Sequence, residues 1–293
     1  MTVRVSAITA FRLTTADAAR LARFYRKLGF IVAGREPIGD EEIALLGLEG
    51  GGTRVTLRLG EQRVDLDSFD VPGRPYPAGA TASDLSFQHF AIVTDDAEAA
   101  WAQAASLGAV PISTGGPVRL PPSTGVAAAV KFRDPEGHPL ELLQFPRAKA
   151  GRWTGTGLLG IDHSAISVSD IGASRAFYEA LGLSVRGPTL NQGPAQVALD
   201  GLPDVEVQVV PMLPSRDTPH LELLGYHHPA GSSTRRLEAN DVAATRIVWA
   251  ADRDELICDP DGHLHLLIGW ARPATPLLPR NSRSRQEIGT ARQ

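Results

Sequence analysis

The sequence predicts an α+β fold built from four copies of one module, a strand and a helix followed by roughly three strands. Three observations carry this: a segment recurring at a fixed offset, an interval repeated three times, and a shared turn at module ends. Residues 161–183 run Ile-Asp-His-Ser-Ala-Ile-Ser-Val-Ser-Asp-Ile into a helical stretch ending Ala-Phe-Tyr-Glu-Ala-Leu-Gly-Leu. Residues 8–30, 153 positions earlier, end Arg-Phe-Tyr-Arg-Lys-Leu-Gly-Phe, and Phe87 to Ala109 follow the same course. In each copy a first-strand position (Ala10, His89, His163) lies 19 residues before a closing glycine (Gly29, Gly108, Gly182). Such self-similarity marks units that bury their apolar faces against one another.

The elements follow in order. In the first module, residues 5–72, Asp17 opens a helix whose buried stripe is Leu21, Phe24, Tyr25 and Leu28. Thr53 to Leu59 read as a strand, and Val64 and Leu66 flank Asp65 on the last one. The second, residues 85–146, has His89 on its first strand, the acidic pair Asp95 and Asp96, Trp101, and a strand from Val126 to Phe132. It ends in Asp134-Pro-Glu-Gly, a tight-turn sequence, after which Leu140 and Leu142 share one face and Glu141 takes the other. The Gly-rich, basic run 147–158 reads as a link between halves.

The third module, residues 159–224, alternates Ile166 and Val168 with Ala165 and Ser167. Asp170 caps a helix carrying Ile171, Phe177, Tyr178 and Leu181, and Gly182 ends it. A strand follows at Val205 to Val210, and Leu221 and Leu223 flank Glu222. The fourth, residues 232–272, is worn down: a first strand from Thr234 to Ala239, almost no room for a helix before a strand from Ile247 to Ala251, and the turn Asp259-Pro-Asp-Gly. The count after that turn sets His265 where Glu141 stands. Two domains are expected, 5–146 and 159–272, with 273–293 a disordered tail. His138 and His263 in the turns, and His227 and His228 in a Pro- and Gly-rich loop, read as structural; the Phe-Tyr pairs read as core.

With 43% apolar and 21% charged residues, the 293-residue chain has the composition of a globular protein large enough for two cores. A net charge of −4 gives no reason to expect nucleic acid or an anionic membrane as partner. Cys258 is the single cysteine, so no internal disulfide forms. The opening residues lack a signal-peptide core, and no apolar run nears the ~20 residues of a membrane helix. A cytoplasmic monomer or homodimer with a small-molecule substrate is expected.

Histidine and glutamate alternate through the middle of the chain as His89, Glu141, His163 and Glu222. Neutral imidazole and carboxylate together hold divalent metals while leaving positions free for substrate. Four such modules, with His on the first strand and Glu on the last, resemble the vicinal oxygen chelate superfamily over about residues 5–272. That superfamily includes glyoxalases, bleomycin and fosfomycin resistance proteins and type I extradiol dioxygenases. The resemblance implies that pairs of βαβββ modules close into cupped, partly open barrels with a metal on the floor.

How the modules pair is open. If the second and third share a barrel, His89, Glu141, His163 and Glu222 complete a glyoxalase-like set for Ni, Zn, Mn, Co or Fe. If neighbours pair, the second half offers His163, Glu222 and His265, two imidazoles and a carboxylate as in an Fe(II) facial triad, with Thr234 where another ligand is expected. The first half then offers Asp65, His89 and Glu141. A ligating carboxylate that can detach, Glu222 or Glu141, is the expected general base. Asn191 and Gln196 offer amides to a polar substrate. Three functions remain: a glyoxalase-type isomerase or lyase, an extradiol-type dioxygenase, and a protein that binds a small molecule without turnover.

Overall fold

The computed structural model describes residues 3–216, 219–232 and 236–269. The first module supplies β1 (Val5–Thr14), α1 (Ala18–Leu28), β2 (Ile31–Pro37), α2 (Asp40–Leu45), β3 (Gly52–Leu59) and β4 (Gln62–Phe69). The second supplies β5 (Gln88–Thr94), α3 (Ala97–Ser106), β6 (Val110–Pro111), β7 (Val118–Arg119), β8 (Ala128–Arg133) and β9 (Pro139–Gln144). In the third are β10 (Leu158–Ser167), α4 (Ile171–Ala180), β11 (Ser184–Val185), β12 (Thr189–Gln192), α5 (Pro194–Asp200), β13 (Glu206–Leu213) and β14 (His220–His228). The fourth has β15 (Arg246–Ala251), β16 (Glu255–Cys258) and β17 (Leu264–Gly269), and no helix among its described residues.

The helix signals form as the residue chemistry dictates. Asp17, Asp96 and Asp170 each accept a hydrogen bond from the backbone N–H three residues on, at 2.9, 3.0 and 3.1 Å. Gly29, Gly108 and Gly182 each take positive φ, the conformation that turns the chain out of the helix.

The strands sort into two sheets, and these do not follow the consecutive halves 5–146 and 159–272. One sheet runs β16-β17-β15-β1-β4-β3-β2, joining the first and fourth modules; the other centres on β14-β10-β5-β9, joining the second and third. The 147–157 run therefore joins modules of one sheet, and the chain crosses between sheets at 70–87 and 229–245. Consecutive modules are tied in another way. Tyr25 Oη donates to Asp134 Oδ2 at 3.0 Å, and Tyr178 Oη donates to Asp259 Oδ2 at 2.9 Å. His138 Nε2 lies 2.9 Å from Thr14 O, and His263 Nε2 lies 2.9 Å from Ser167 O. Each Asp-Pro-x-Gly-His turn thus anchors the helix and first-strand end of the module before it.

The fourth module departs from expectation. Residues 236–240 form no strand, and Thr234 lies outside the described residues. β15 is the first strand instead: it pairs antiparallel with β1 as β10 pairs with β5, and parallel with β17 as β10 pairs with β14. The tail expected from 273 also lies outside the described residues.

Both sheets turn their apolar faces inward onto one core, where Phe11 stacks on Phe90 with ring centroids 5.5 Å apart. The opposite face of each sheet forms a cup. Strand periodicity thus separates core from cup residue by residue.

Candidate metal centre

The central β5–β10 pair sets the floor of one cup. Register places His89 opposite Ala165 and Ala91 opposite His163, so the two histidines lie diagonally on one face. Parallel pairing then sets Glu141 beside Ala91 and Glu222 beside Ala165. The two alanines leave the space into which four ligand-type side chains converge.

His89 Nε2 lies 3.0 Å from Glu141 Oε2, and His163 Nε2 lies 3.8 Å from Glu141 Oε2 and 3.5 Å from Glu222 Oε2. Ligands bound to a common ion at ~2.1 Å sit ~3 Å apart when adjacent and ~4 Å apart when opposite. His89, Glu141 and His163 meet this, with ligand atoms within 4.8 Å of one another, and Glu222 stands next to the group, against His163. His89 adds a second observation. The residue is 2% exposed; its Nδ1 has no hydrogen-bond partner, and its Nε2 faces Glu141 Oε2 at 3.0 Å without hydrogen-bond geometry. A buried imidazole left this way is costly, and a metal at Nε2 would satisfy that nitrogen.

Charge prepares the set. Burial lowers the pKa of His89 against the opposing pull of Glu141, favouring the neutral ring a metal requires. Burial also works against the His163 imidazolium, but Glu222 and Asp162 outweigh it and raise that pKa to about 9 without an ion present. For Glu222, burial pushes the carboxyl up while His163 and His220 hold it at about 2. The same opposition, with His89 and Lys131 prevailing, lowers Glu141.

Sequence periodicity missed several neighbours. Asp162 Oδ2 lies 3.1 Å from His163 Nδ1. Adjacent strand residues normally face opposite ways, but a register shift between Ile161 and His163 brings Asp162 to the same side. His220 Nε2 lies 3.4 Å from Glu222 Oε1, and its place two residues before Glu222 was a period-2 signal available in the sequence. Lys131, opposite Glu141 across the β8–β9 hairpin, donates to Asp200 Oδ1 at 2.6 Å. Burial works against its ammonium, and Asp200 and Glu141 outweigh it and raise the pKa.

Above the floor opens a cavity of about 240 Å³, lined by all four convergent residues and by Asn191, Gln196, Lys131, Asp162 and Tyr226. Asn191 and Gln196 stand on its wall. Gln196 commits its amide N–H to Asp200 Oδ2 at 2.8 Å, leaving its carbonyl oxygen for other contacts.

His265 does not join the site. It lies in the other sheet, on the core side, where Trp249 Nε1 donates to its Nδ1 at 3.1 Å and its Nε2 lies 2.8 Å from Tyr178 Oη. The count from the turn explains the error. Glu141 is seven residues after Asp134, whereas His265 is six after Asp259; Leu266 is the true counterpart. One residue of offset moves a strand side chain to the opposite face.

The second cup fails as a metal site for the same positional reasons. Its equivalent positions hold Ala10, Asp65, Arg246 and Leu266. Asp65 is taken by Arg12 at 3.2 Å, Thr56 at 3.0 Å and Arg63 at 2.7 Å, and Arg54 forks onto Asp67 at 2.7 and 2.9 Å. Glu42 from α2 bonds Arg12 and Arg54, closing a buried charge network where the other cup has its cavity.

Solved structures share this architecture. An E144Q mutant of glyoxalase I from Zea mays is 17% identical, with 92% of this chain and 94% of that chain covered and a TM-score of 0.58. Glyoxalase I from Zea mays is 16% identical, with 90% and 92% covered and a TM-score of 0.57. A putative dioxygenase from Bacillus subtilis subsp. subtilis str. 168 is 13% identical, with 92% and 86% covered and a TM-score of 0.55. At these identities the likeness establishes the fold. No curated protein sequence matches the chain. The family model described as Glyoxalase/Bleomycin resistance protein/Dioxygenase superfamily matches residues 7–142, which span the first two modules. On that match, the first two modules belong to the glyoxalase/bleomycin resistance protein/dioxygenase superfamily.

Proposed function

We propose that this protein is a divalent-metal-dependent enzyme of glyoxalase type, moving a proton on a small oxygenated metabolite in an isomerase- or lyase-like reaction. The grouping of His89, Glu141 and His163 within 4.8 Å of one another, with Glu222 against His163, carries this reading. These four residues would hold the ion, which when bound supplies Lewis acidity toward a carbonyl oxygen. Glu222 is the general base: its side chain is 19% exposed to the cavity, against 7% for Glu141, which sits against His89. His220, its ring beside that of His163, steadies the other Glu222 oxygen, while Asn191 and the Gln196 carbonyl oxygen orient the polar end of the substrate.

A second reading, an extradiol-type Fe(II) dioxygenase, is favoured by one observation. His89, Glu141 and His163 bring two imidazoles and a carboxylate within 4.8 Å of one another, the composition of an iron facial triad. In a third, the cup binds a small molecule without turnover. All three have a small-molecule ligand and a cytoplasmic location. No helix among the described residues is long and apolar enough to cross a membrane.

Elemental analysis of protein purified without a metal-affinity tag tests this, comparing the native chain with His163→Ala and Glu222→Ala. About one Ni, Zn, Mn or Co per chain, lost in both variants, is expected under metal coordination by this set. Stoichiometric iron would favour the dioxygenase. No metal, even after reconstitution, would leave the binding protein.

A further inference from the structure

The cavity over the candidate metal centre has an uneven charge inventory. Among the described residues lining it, Lys131 is the one permanent cation, and Glu141, Asp162 and Glu222 face it as carboxylates. A divalent ion would balance Glu141 and Glu222, leaving Asp162 beside a His163 ring that is neutral when it ligates. Lys131 is itself committed, its Nζ donating to Asp200 Oδ1 at 2.6 Å with 5% of the lysine side chain exposed and none of the aspartate. The other Asp200 oxygen accepts from Gln196 Nε2 at 2.8 Å and Tyr226 Oη at 3.0 Å. α5, which carries Asp200, is fastened across the second module: Thr114 N donates to Ala198 O at 2.8 Å and Ser113 Oγ to Leu199 O at 2.7 Å.

Apart from uncharged polar groups at Thr124, Thr189, Asn191, Gln196 and Tyr226, the rest of the wall is hydrocarbon, including Val126, Leu143, Phe145, Leu199, Val207 and Leu224. Without a metal, the His163 imidazolium is held by Asp162 at 3.1 Å and Glu222 at 3.5 Å just as Lys131 is held by Asp200, so a negatively charged ligand entering here sheds its hydration and finds no cation free to receive it. An uncharged ligand with an apolar body meets no such cost.

Resting on the assignment of this cavity as the ligand site, we propose that Asp200, by holding Lys131, makes the cavity selective for uncharged, largely hydrocarbon ligands. The pair is a specificity element outside the metal set: Asp200 acts through Lys131, and freeing the lysine opens the cavity to anions.

The test uses two probes alike in size, benzyl alcohol and benzoate, titrated by calorimetry into the full chain in EDTA so that no metal contributes. The native chain is expected to bind benzyl alcohol at least about tenfold more tightly than benzoate. In Asp200→Asn, benzoate gains about tenfold while benzyl alcohol is unchanged. In the double variant Lys131→Met, Asp200→Asn, that gain disappears, which a merely structural role for Asp200 does not predict. Equal binding of the two probes by the native chain would overturn the proposal, as would binding of neither. It would also fall if Asp200→Asn bound benzyl alcohol normally without gaining benzoate, or if the gain survived in the double variant. Should Asp200→Asn fail to fold, the native comparison decides.

A second arm separates this from the metal assignment. After zinc loading, a neutral hydroxypyranone is compared with its carboxylated analogue. If loading adds nothing to hydroxypyranone affinity, the metal assignment fails. Charge discrimination in EDTA stands or falls independently.

Discussion

Arg246 Nη2 donates to Asp67 Oδ2 at 3.0 Å with neither side chain exposed, in the cup where register makes Arg246 the counterpart of His163. The two cups share a backbone plan and differ in what fills them. In one, imidazoles and carboxylates converge beneath a cavity. In the other, four arginines (Arg12, Arg54, Arg63 and Arg246) pair with three carboxylates (Glu42, Asp65 and Asp67) beneath α2.

That network predicts an ordering of stabilities. Asp67→Asn leaves Arg54 and Arg246 short of a charge partner and is expected to cost about 3–5 kcal/mol. Arg246→Met costs less, because Asp67 keeps the Arg54 fork. Urea denaturation measures both, and an Asp67→Asn chain as stable as native would contradict a stabilising role for this charge cluster.

Asp162 is expected to act on metal affinity through His163. Accepting from Nδ1–H at 3.1 Å, it fixes the tautomer that presents Nε2 to the site. Asp162→Ala should weaken the binding of a divalent ion about 10–100-fold with the fold intact. Competition against a chelator of known affinity measures this, and unchanged affinity would show that the ring needs no such support.

His265 predicts an acid-sensitive limb of the stability curve. Burial lowers its pKa to about 4, and the Trp249 donor at Nδ1 leaves no place for a second ring proton. The unfolded imidazole titrates at about 6.5. Between these values the unfolded chain binds the proton that the folded chain refuses. The contribution is therefore complete above about pH 6.5 and lost as pH falls toward about 4, for a total of about 3 kcal/mol. His265→Gln lacks the proton, so its unfolding free energy should fall less steeply across that window. Parallel native and variant curves would remove His265 as the source.

By itself the sequence determined the repeated module and the strand faces on which its candidate residues lie. The 19-residue interval and period-2 alternation depend on local backbone geometry, so Asp17, Asp170, Gly29 and Gly182 could be assigned their roles without a partner in view. His89, Glu141, His163 and Glu222 followed from alternation within single strands. Where a local count slipped by one, as at His265, the error changed the face completely, because strand faces alternate residue by residue.

Only the tertiary structure decided which modules share a sheet. Pairing β5 with β10 and β1 with β15 joins residues 64 or more positions apart, and nothing in either strand's own pattern names its neighbour. That choice brings the four ligand-type residues into one cup, leaves Ala10 and Arg246 together in the other, and brings Lys131 to Asp200. Such groupings depend on long-range register and on charges that meet only after the chain closes, and single-strand periodicity carries neither.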